Sequence, residues 1–342
     1  MSGERRPARR VLGNVALSLF VLAASVVAAE LAVRTFVPVR SVGTPVTVYD
    51  SIYRTRLKRN FSGVQITPEF RQHLSTNSLG HRGPEPRGPL RGALLYLGDS
   101  FTVGYGVNDG EEYPALVAAR LAERGAGTVP YINAGRGNTG QSHWIKYLRR
   151  EAPALEPTFV IVQINETDFS DNLLDALLAV DSAGNITELP LPKPGLGRLV
   201  QPVLDALPFV SSSYLYGLVR QAYFALSSRP AEGPPDPGQR GREDRMLMRL
   251  VEEVDRLCDE AGWRTVALRI ALDDERDARV DSLFTAHGIP SRRVRDRNAL
   301  PDFYYAIDGH WNAAGHRLAA EMILELFAAS DSMGYSRIKQ SF

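Results

Sequence analysis

Gly98-Asp99-Ser100 directly follows the apolar run 93–97, and Asp308-Gly309-His310 directly precedes a helix-periodic C-terminal segment. A serine hydroxyl becomes an effective nucleophile when an imidazole takes its proton and a carboxylate orients that imidazole. Glycine before the serine permits a tight strand-to-helix turn, and the N-terminus of a following helix favours developing negative charge. Each tripeptide alone is a weak signal, because Gly-Asp-Ser is common in turns. Their joint presence at opposite ends of one stretch of alternating strands and helices is stronger. Together they point to an activated serine, with Ser100 as nucleophile, His310 as base and Asp308 as its orienter.

Other residues read more plainly. Asp99 is expected to hydrogen-bond the turn. His316 lies on the terminal helix as a surface or packing residue. His73, His81, His143 and His287 have no metal-ligand spacing, so no metal or other cofactor is expected. Asp168, Asp171 and Asn172 either line the cleft or start a solvated helix. Trp311 either packs beside His310 or forms part of an acyl pocket. The one cysteine, Cys258, excludes an internal disulfide and reads as core filler.

The elements that must position these groups begin near residue 93. Apolar runs at 93–97, 129–132, 159–164, 265–272 and 291–294 read as strands. Helical patterns at 113–124, 142–151, 242–261, 278–287 and 313–328 separate or follow them, with Asn312 as N-cap of the last. Such alternation predicts a three-layer α/β/α fold with a mostly parallel sheet. Ligands bind beyond the C-terminal strand ends of such sheets. Ser100, the segment 135–138 and Asn165 each follow a strand, so three polar segments converge at one sheet edge.

Arg5, Arg6, Arg9 and Arg10 precede an apolar run at 11–33, long enough for a bilayer-spanning helix. The basic cluster predicts a cytoplasmic N-terminus with the rest of the chain outside. A cleaved signal peptide ending near Ala29 is the rival reading. The expected organisation is a tail (1–10), an anchor (11–33), a stalk and edge segment (34–90), a catalytic domain (91–329) and a tail (330–342). Short strands are expected near 46–49 and 63–66, and 75–89 reads as loop. An insertion at 173–241 interrupts the domain. Its part 199–227, with Phe209, Tyr214, Tyr216, Tyr223 and Phe224, reads as a cap over the site or a membrane-touching surface. Its part 229–242 reads as a flexible linker. With a net charge of +1 and no global basic excess, nucleic acid is not an expected partner.

With these residues in view, the chain resembles the GDSL/SGNH hydrolases over roughly residues 75–328. LGDSFTVGYG resembles the first family block, which implies Ser100 as nucleophile. YINAGRGNTGQ (131–141) resembles the second, which implies an oxyanion-hole N–H from Gly137 or Asn138. VIVQINETDFSDN (160–172) resembles the third, which implies Asn165 as a side-chain donor. DGHWNAAGH (308–316) resembles the fifth and completes the triad with Asp308 and His310. STNSLGHRG is similar to a segment of membrane-anchored bacterial members. The chain departs from the usual pattern in three places. Asn138 stands at the usual glycine position with Gly137 beside it, Gln163 and Glu166 replace a glycine and an aspartate, and the last block reads Asp-x-His-Trp rather than Asp-x-x-His.

The resemblance implies a flavodoxin-like doubly wound sheet and an acyl-serine mechanism, with Ser100 N–H completing the oxyanion hole. The expected function is an extracytoplasmic esterase on O-acyl groups of a carbohydrate. The alternatives are a lipid or small-ester hydrolase, a carbohydrate O-acyltransferase, and an inactive envelope or glycan-binding relative.

Overall fold

The computed structural model describes residues 5–86, 90–191, 197–227 and 238–330. Helix α1 (Arg5–Phe36) comes first, followed by strands β1 (Val42–Gly43), β2 (Thr47–Asp50), β3 (Arg54–Leu57), β4 (Ser62–Ile66) and β5 (Arg71–Ser75). Next are β6 (Leu94–Leu97), α2 (Ser100–Val103), α3 (Tyr113–Leu121), β7 (Tyr131–Asn133), α4 (Gln141–Arg150) and α5 (Ala152–Leu155). Then come β8 (Phe159–Asn165), α6 (Asp168–Asp175), β9 (Leu178–Val180), β10 (Ile186–Glu188), α7 (Gly197–Ala206), α8 (Pro208–Ser211) and α9 (Tyr214–Ser227). The chain finishes with α10 (Gln239–Glu260), β11 (Arg264–Ile270), α11 (Asp274–Ala286), β12 (Ser291–Val294) and α12 (Ala313–Ser330).

Internal contacts divide the chain into two units, one of residues 1–44, 65–68 and 202–232, the other of 45–64, 69–201 and 233–342. In the larger unit five strands form a sheet in the order β7-β6-β8-β11-β12, and every neighbouring pair is parallel. In strand-sequence terms this is 2-1-3-4-5, the flavodoxin-like doubly wound order, whose switch point lies between β6 and β8. Strand alternation sends side chains to both faces. Leu95, Leu97, Val160, Val162 and Ile164 pack with α4, α10 and α11, while Leu94, Tyr96, Phe159, Ile161 and Leu268 pack with α3 and α12. Cys258 is buried in the first of these layers. The sheet is therefore covered on both sides, which explains why its strands read as continuous apolar runs.

Several element boundaries differ from those expected. The helix at 113 ends at Leu121 in a π-turn whose Gly125 has φ +86°. Helix α11 starts one turn early because the Asp273 carboxylate caps the Arg276 N–H at 2.9 Å. The segment expected as stalk and edge carries five strands, including the β2–β3 hairpin, and part of it is integral to the larger unit. The expected loop 75–89 holds a bridge from Thr76 to Arg82 and another from Arg82 to Asn133. Residues 87–89, most of the expected linker and the tail beyond 330 lie outside the described residues.

In the smaller unit, Arg10–Phe36 of α1 is long and apolar enough to span a membrane, and none of its most apolar stretch is buried. Val33, Val39 and Val42 pack with Tyr214, Leu215 and Leu218 of α9.

Candidate active site

Ser100 begins α2 at the C-terminal end of β6. A Cβ on Gly98 would collide with Thr102 Oγ1, so only glycine allows the chain to turn this sharply into the helix. Asp99 caps that helix, its Oδ1 accepting the Phe101 N–H at 2.9 Å. Gln163 reaches across from β8 to accept the Asp99 N–H at 3.2 Å and the Thr102 hydroxyl at 2.9 Å. The Asn133 amide donates to Thr102 O at 2.9 Å. The serine turn is thus held from both neighbouring strands.

His310 and Asp308 reach Ser100 from a loop ahead of α12. His310 Nε2 lies 2.7 Å from Ser100 Oγ, and His310 Nδ1 lies 2.5 Å from Asp308 Oδ1. A carboxylate at Nδ1 holds the proton there and leaves Nε2 as the acceptor, the tautomer a general base requires. The loop itself is fixed by Glu69, whose two carboxylate oxygens accept the Ile307 N–H at 2.9 Å and the Asp308 N–H at 2.6 Å. The Phe101 and Tyr105 rings flank the imidazole with centroids 4.9 and 4.8 Å away. Trp311 is fully buried against Phe101, so it serves packing under the site. Asn312 caps α12 through the Ala314 N–H at 2.8 Å.

The two remaining predicted segments arrive beside the serine. Gly137 lies against it, since a Cβ there would sit 3.7 Å from Ser100 Cβ. Asn138, the alternative donor, is exposed with φ +56°. The loop is anchored by the Arg136 N–H to Gly98 O at 3.1 Å, and Gly135 leaves no room for a Cβ, which would fall 2.5 Å from Val103 N. Asn165 has its amide direction set: Oδ1 accepts the Thr167 N–H at 2.8 Å, and Nδ2 donates to Asp99 Oδ2 at 2.6 Å. Among the described residues Asn165 Nδ2 meets no second acceptor. Among the described residues neither the Ser100 nor the Gly137 N–H meets an acceptor. These donors and the serine hydroxyl together suit a tetrahedral oxyanion.

Several supporting residues carry no local sequence signal. Arg82 is completely buried and donates to the carbonyls of Val103 at 2.9 Å, Gly104 at 2.5 Å and Val107 at 2.7 Å, with Asp109 and Glu112 balancing its charge. It holds the C-terminal end of the serine helix. Arg276 lies 3.9 Å from the Phe169 ring centroid and pairs with Glu166, Glu243 and Asp244, tying the segment after Asn165 to α10 and α11. The Gly-rich neighbourhood of Arg82 and the unusual Glu166 were the only hints available.

Asp168, Asp171 and Asn172 are buried rather than placed at a solvated helix start. Asp168 accepts the Asn165 N–H at 3.0 Å, and Asn172 accepts the Ser142 N–H at 3.0 Å. Burial pushes the carboxyls of Asp168 and Asp99 upward, Asp99's charge adding to the shift at Asp168. Burial also raises Asp171, to about 6, with Asp175 and Asp99 adding repulsion. A carboxyl raised in the folded state binds more protons folded than unfolded as pH rises from about 4 to about 6, so stability falls across that window. Asp171→Asn is expected to raise the melting temperature at about pH 8 and leave it nearly unchanged at about pH 4. Thermal melts at the two pH values check this.

His316 is fully buried, and its Nδ1 accepts the Tyr113 N–H at 3.3 Å. Burial pushes it down to about 3, which keeps it neutral for that role. His81 and His143 are likewise pushed down to about 4 by burial, while His73 and His287 pair with Asp109 and Asp255. Among the described residues no group of three or more His, Cys, Asp or Glu could hold a metal.

The doubly wound sheet thus brings Ser100, His310 and Asp308 into hydrogen-bond contact at its switch point. The chain belongs to the GDSL-like lipase/acylhydrolase family, whose model matches residues 96–318. It is accordingly a carboxylic ester hydrolase.

Solved structures are similar to the chain at low identity. TesA is 15% identical, covering 69% of this chain and 97% of its own, with a TM-score of 0.42. A lipase/acylhydrolase from Enterococcus faecalis is 16% identical over 70% of this chain and 96% of its own, with a TM-score of 0.38. A two-domain esterase active on acetylated mannans, co-crystallised with mannopentaose, is 14% identical over 70% of this chain and 50% of its own, with a TM-score of 0.37. No curated protein matches the chain.

Proposed function

We propose that the protein is a membrane-anchored, extracytoplasmic serine esterase that removes O-acyl groups, acetyl above all, from a carbohydrate. The observation that carries the chemistry is the continuous relay from Asp308 Oδ1 through His310 to Ser100 Oγ, with contacts of 2.5 and 2.7 Å. His310 Nε2 takes the Ser100 proton as Oγ attacks the ester carbonyl. The oxyanion is held by the Ser100 N–H, by the N–H of Gly137 or Asn138, and by the Asn165 amide. Loss of one such donor typically costs about 10²–10³ in turnover. The imidazolium then protonates the leaving alkoxide, and an acyl-serine remains. Water attacks next, giving a proton to His310, and the second collapse releases the acid and restores Ser100.

The reading of a polymer-borne substrate is supported by how open the site is. The side chains of His310 and Asp308 are 25% and 23% exposed, and Asn138 is exposed as well. An ester carried on a bulky, hydrated acceptor can approach such a surface without being enclosed. Location is supported by the apolar helix preceded by Arg9 and Arg10, a pattern that holds the N-terminus in the cytoplasm.

Acetate release from an acetylated polysaccharide, compared with fatty-acid release from lipid esters, tests the substrate. Faster deacetylation of the polysaccharide is expected. Preferential fatty-acid release would replace the carbohydrate reading with a lipase, and faster acyl transfer to a sugar than to water would replace it with a transferase.

A further inference from the structure

Helix α9 is amphipathic in the reverse sense for a helix facing water. Its outward residues are Val219, Ala222, Tyr223 and Leu226, with Val219, Tyr223 and Leu226 60%, 51% and 68% exposed. Its polar residues turn inward instead. Arg220 donates to Ser41 O at 3.0 Å, and Gln221 Oε1 accepts the Arg40 N–H at 2.8 Å. On the preceding α8, Phe209 is 71% exposed. A helix with apolar residues outward and polar residues inward is matched to an apolar surrounding.

The position of α9 on the anchor says which surrounding that is. Glu30, the one acidic residue in the apolar run, caps the start of α9. Its carboxylate accepts the Ser213 hydroxyl at 2.7 Å, the Tyr214 N–H at 2.8 Å and the Leu215 N–H at 2.9 Å. The first-turn N–H groups of a helix lack intrahelical acceptors, and a carboxylate satisfies them and complements the dipole. Glu30 lies six residues before the end of α1 at Phe36, which at 1.5 Å per residue is about 9 Å along its axis. One turn on, the Arg34 guanidinium sits over the Tyr214 ring, 5.4 Å from its centroid. Arginine and tyrosine at this level are the anchors of a membrane–water boundary, and interfacial helices bury their apolar face about 5–10 Å into that boundary.

We propose that α8 and α9 form a second membrane contact, lying in the outer interface with Phe209, Val219, Tyr223 and Leu226 inserted among lipids. The occupant is the bilayer that α1 crosses, so the inference rests on the membrane-anchor reading above. Glu30 joins the two contacts into one membrane-bound unit.

The test places a nitroxide label at Val219→Cys, Leu226→Cys, Leu19→Cys and Asp259→Cys in turn, in a Cys258→Ala background. The full chain is reconstituted in nanodiscs of phosphatidylcholine and phosphatidylglycerol. Collision of each label with oxygen, which concentrates in lipid, is compared with collision with a water-soluble nickel chelate. Labels at 219 and 226 are expected to favour oxygen as the label at 19 does, whereas the label at 259 favours nickel. Nickel access at 219 and 226, with 19 still in lipid, overturns the second contact and leaves the anchor standing. Exclusion of both reagents at 219 and 226 overturns it in favour of a protein partner or a second copy. Nickel access at 19 overturns the anchor reading, and the second contact with it.

Discussion

Ser100→Ala is expected to lower ester turnover by about 10⁶-fold, the scale on which serine hydrolases lose activity when the nucleophile is removed. The hydroxyl contacts only His310 and, at 3.3 Å, Asp99 among the described residues. The turn is held instead by Gly98, Gln163 and Asn133, so the variant should melt with the wild type. A fluorophosphonate probe should label the wild type at Ser100 and leave the alanine variant unlabelled. Normal turnover in a folded alanine variant would remove Ser100 from the mechanism. A folded wild type that resists labelling would favour the binding relative over the esterase.

The second large effect is expected at Asp308. Asp308→Asn should reduce kcat by about 10⁴-fold, because an amide nitrogen facing Nδ1 leaves the proton on Nε2. In that tautomer His310 donates toward Ser100 and can no longer accept its proton. Little of the loss should appear in KM, since the carboxylate touches the imidazole and not the ester. A variant with near-wild-type kcat would show that His310 is oriented by its packing between Phe101 and Tyr105, and that the 2.5 Å contact to Asp308 is dispensable.

The two predictions rest on residues that were legible for different reasons. Ser100 stands in a tripeptide bounded by an apolar strand, and Asp308 and His310 stand before a capped helix. Each pattern is local, so sequence spacing reveals it. Asn165 was legible by resemblance and by its place at a strand end. Glu69, Arg82 and Arg276 were not. Glu69 acts on backbone N–H groups 238 and 239 residues away, and Arg276 pairs with Glu166 across 110 residues. A charged residue in a loop looks the same in sequence whether it faces water or a buried carbonyl. The same holds for Asp168, Asp171 and Asn172, whose polar types are as compatible with a solvated helix start as with the buried network they join.

The candidate triad Ser100, His310 and Asp308, the alternation that builds a parallel sheet, and the apolar helix near the N-terminus were legible in the sequence itself. Local periodicity and local motifs encode all of them. The tertiary structure decided which strand neighbours which, and hence that β6 and β8 flank the switch point at Ser100. It decided that Gly137 lies against Ser100, that Trp311 is core, and that Glu30 is a cap for α9 rather than a stray charge in the apolar run. These outcomes depend on which distant groups meet, and a buried charge or an unpaired N–H finds its partner only after the chain has closed around it.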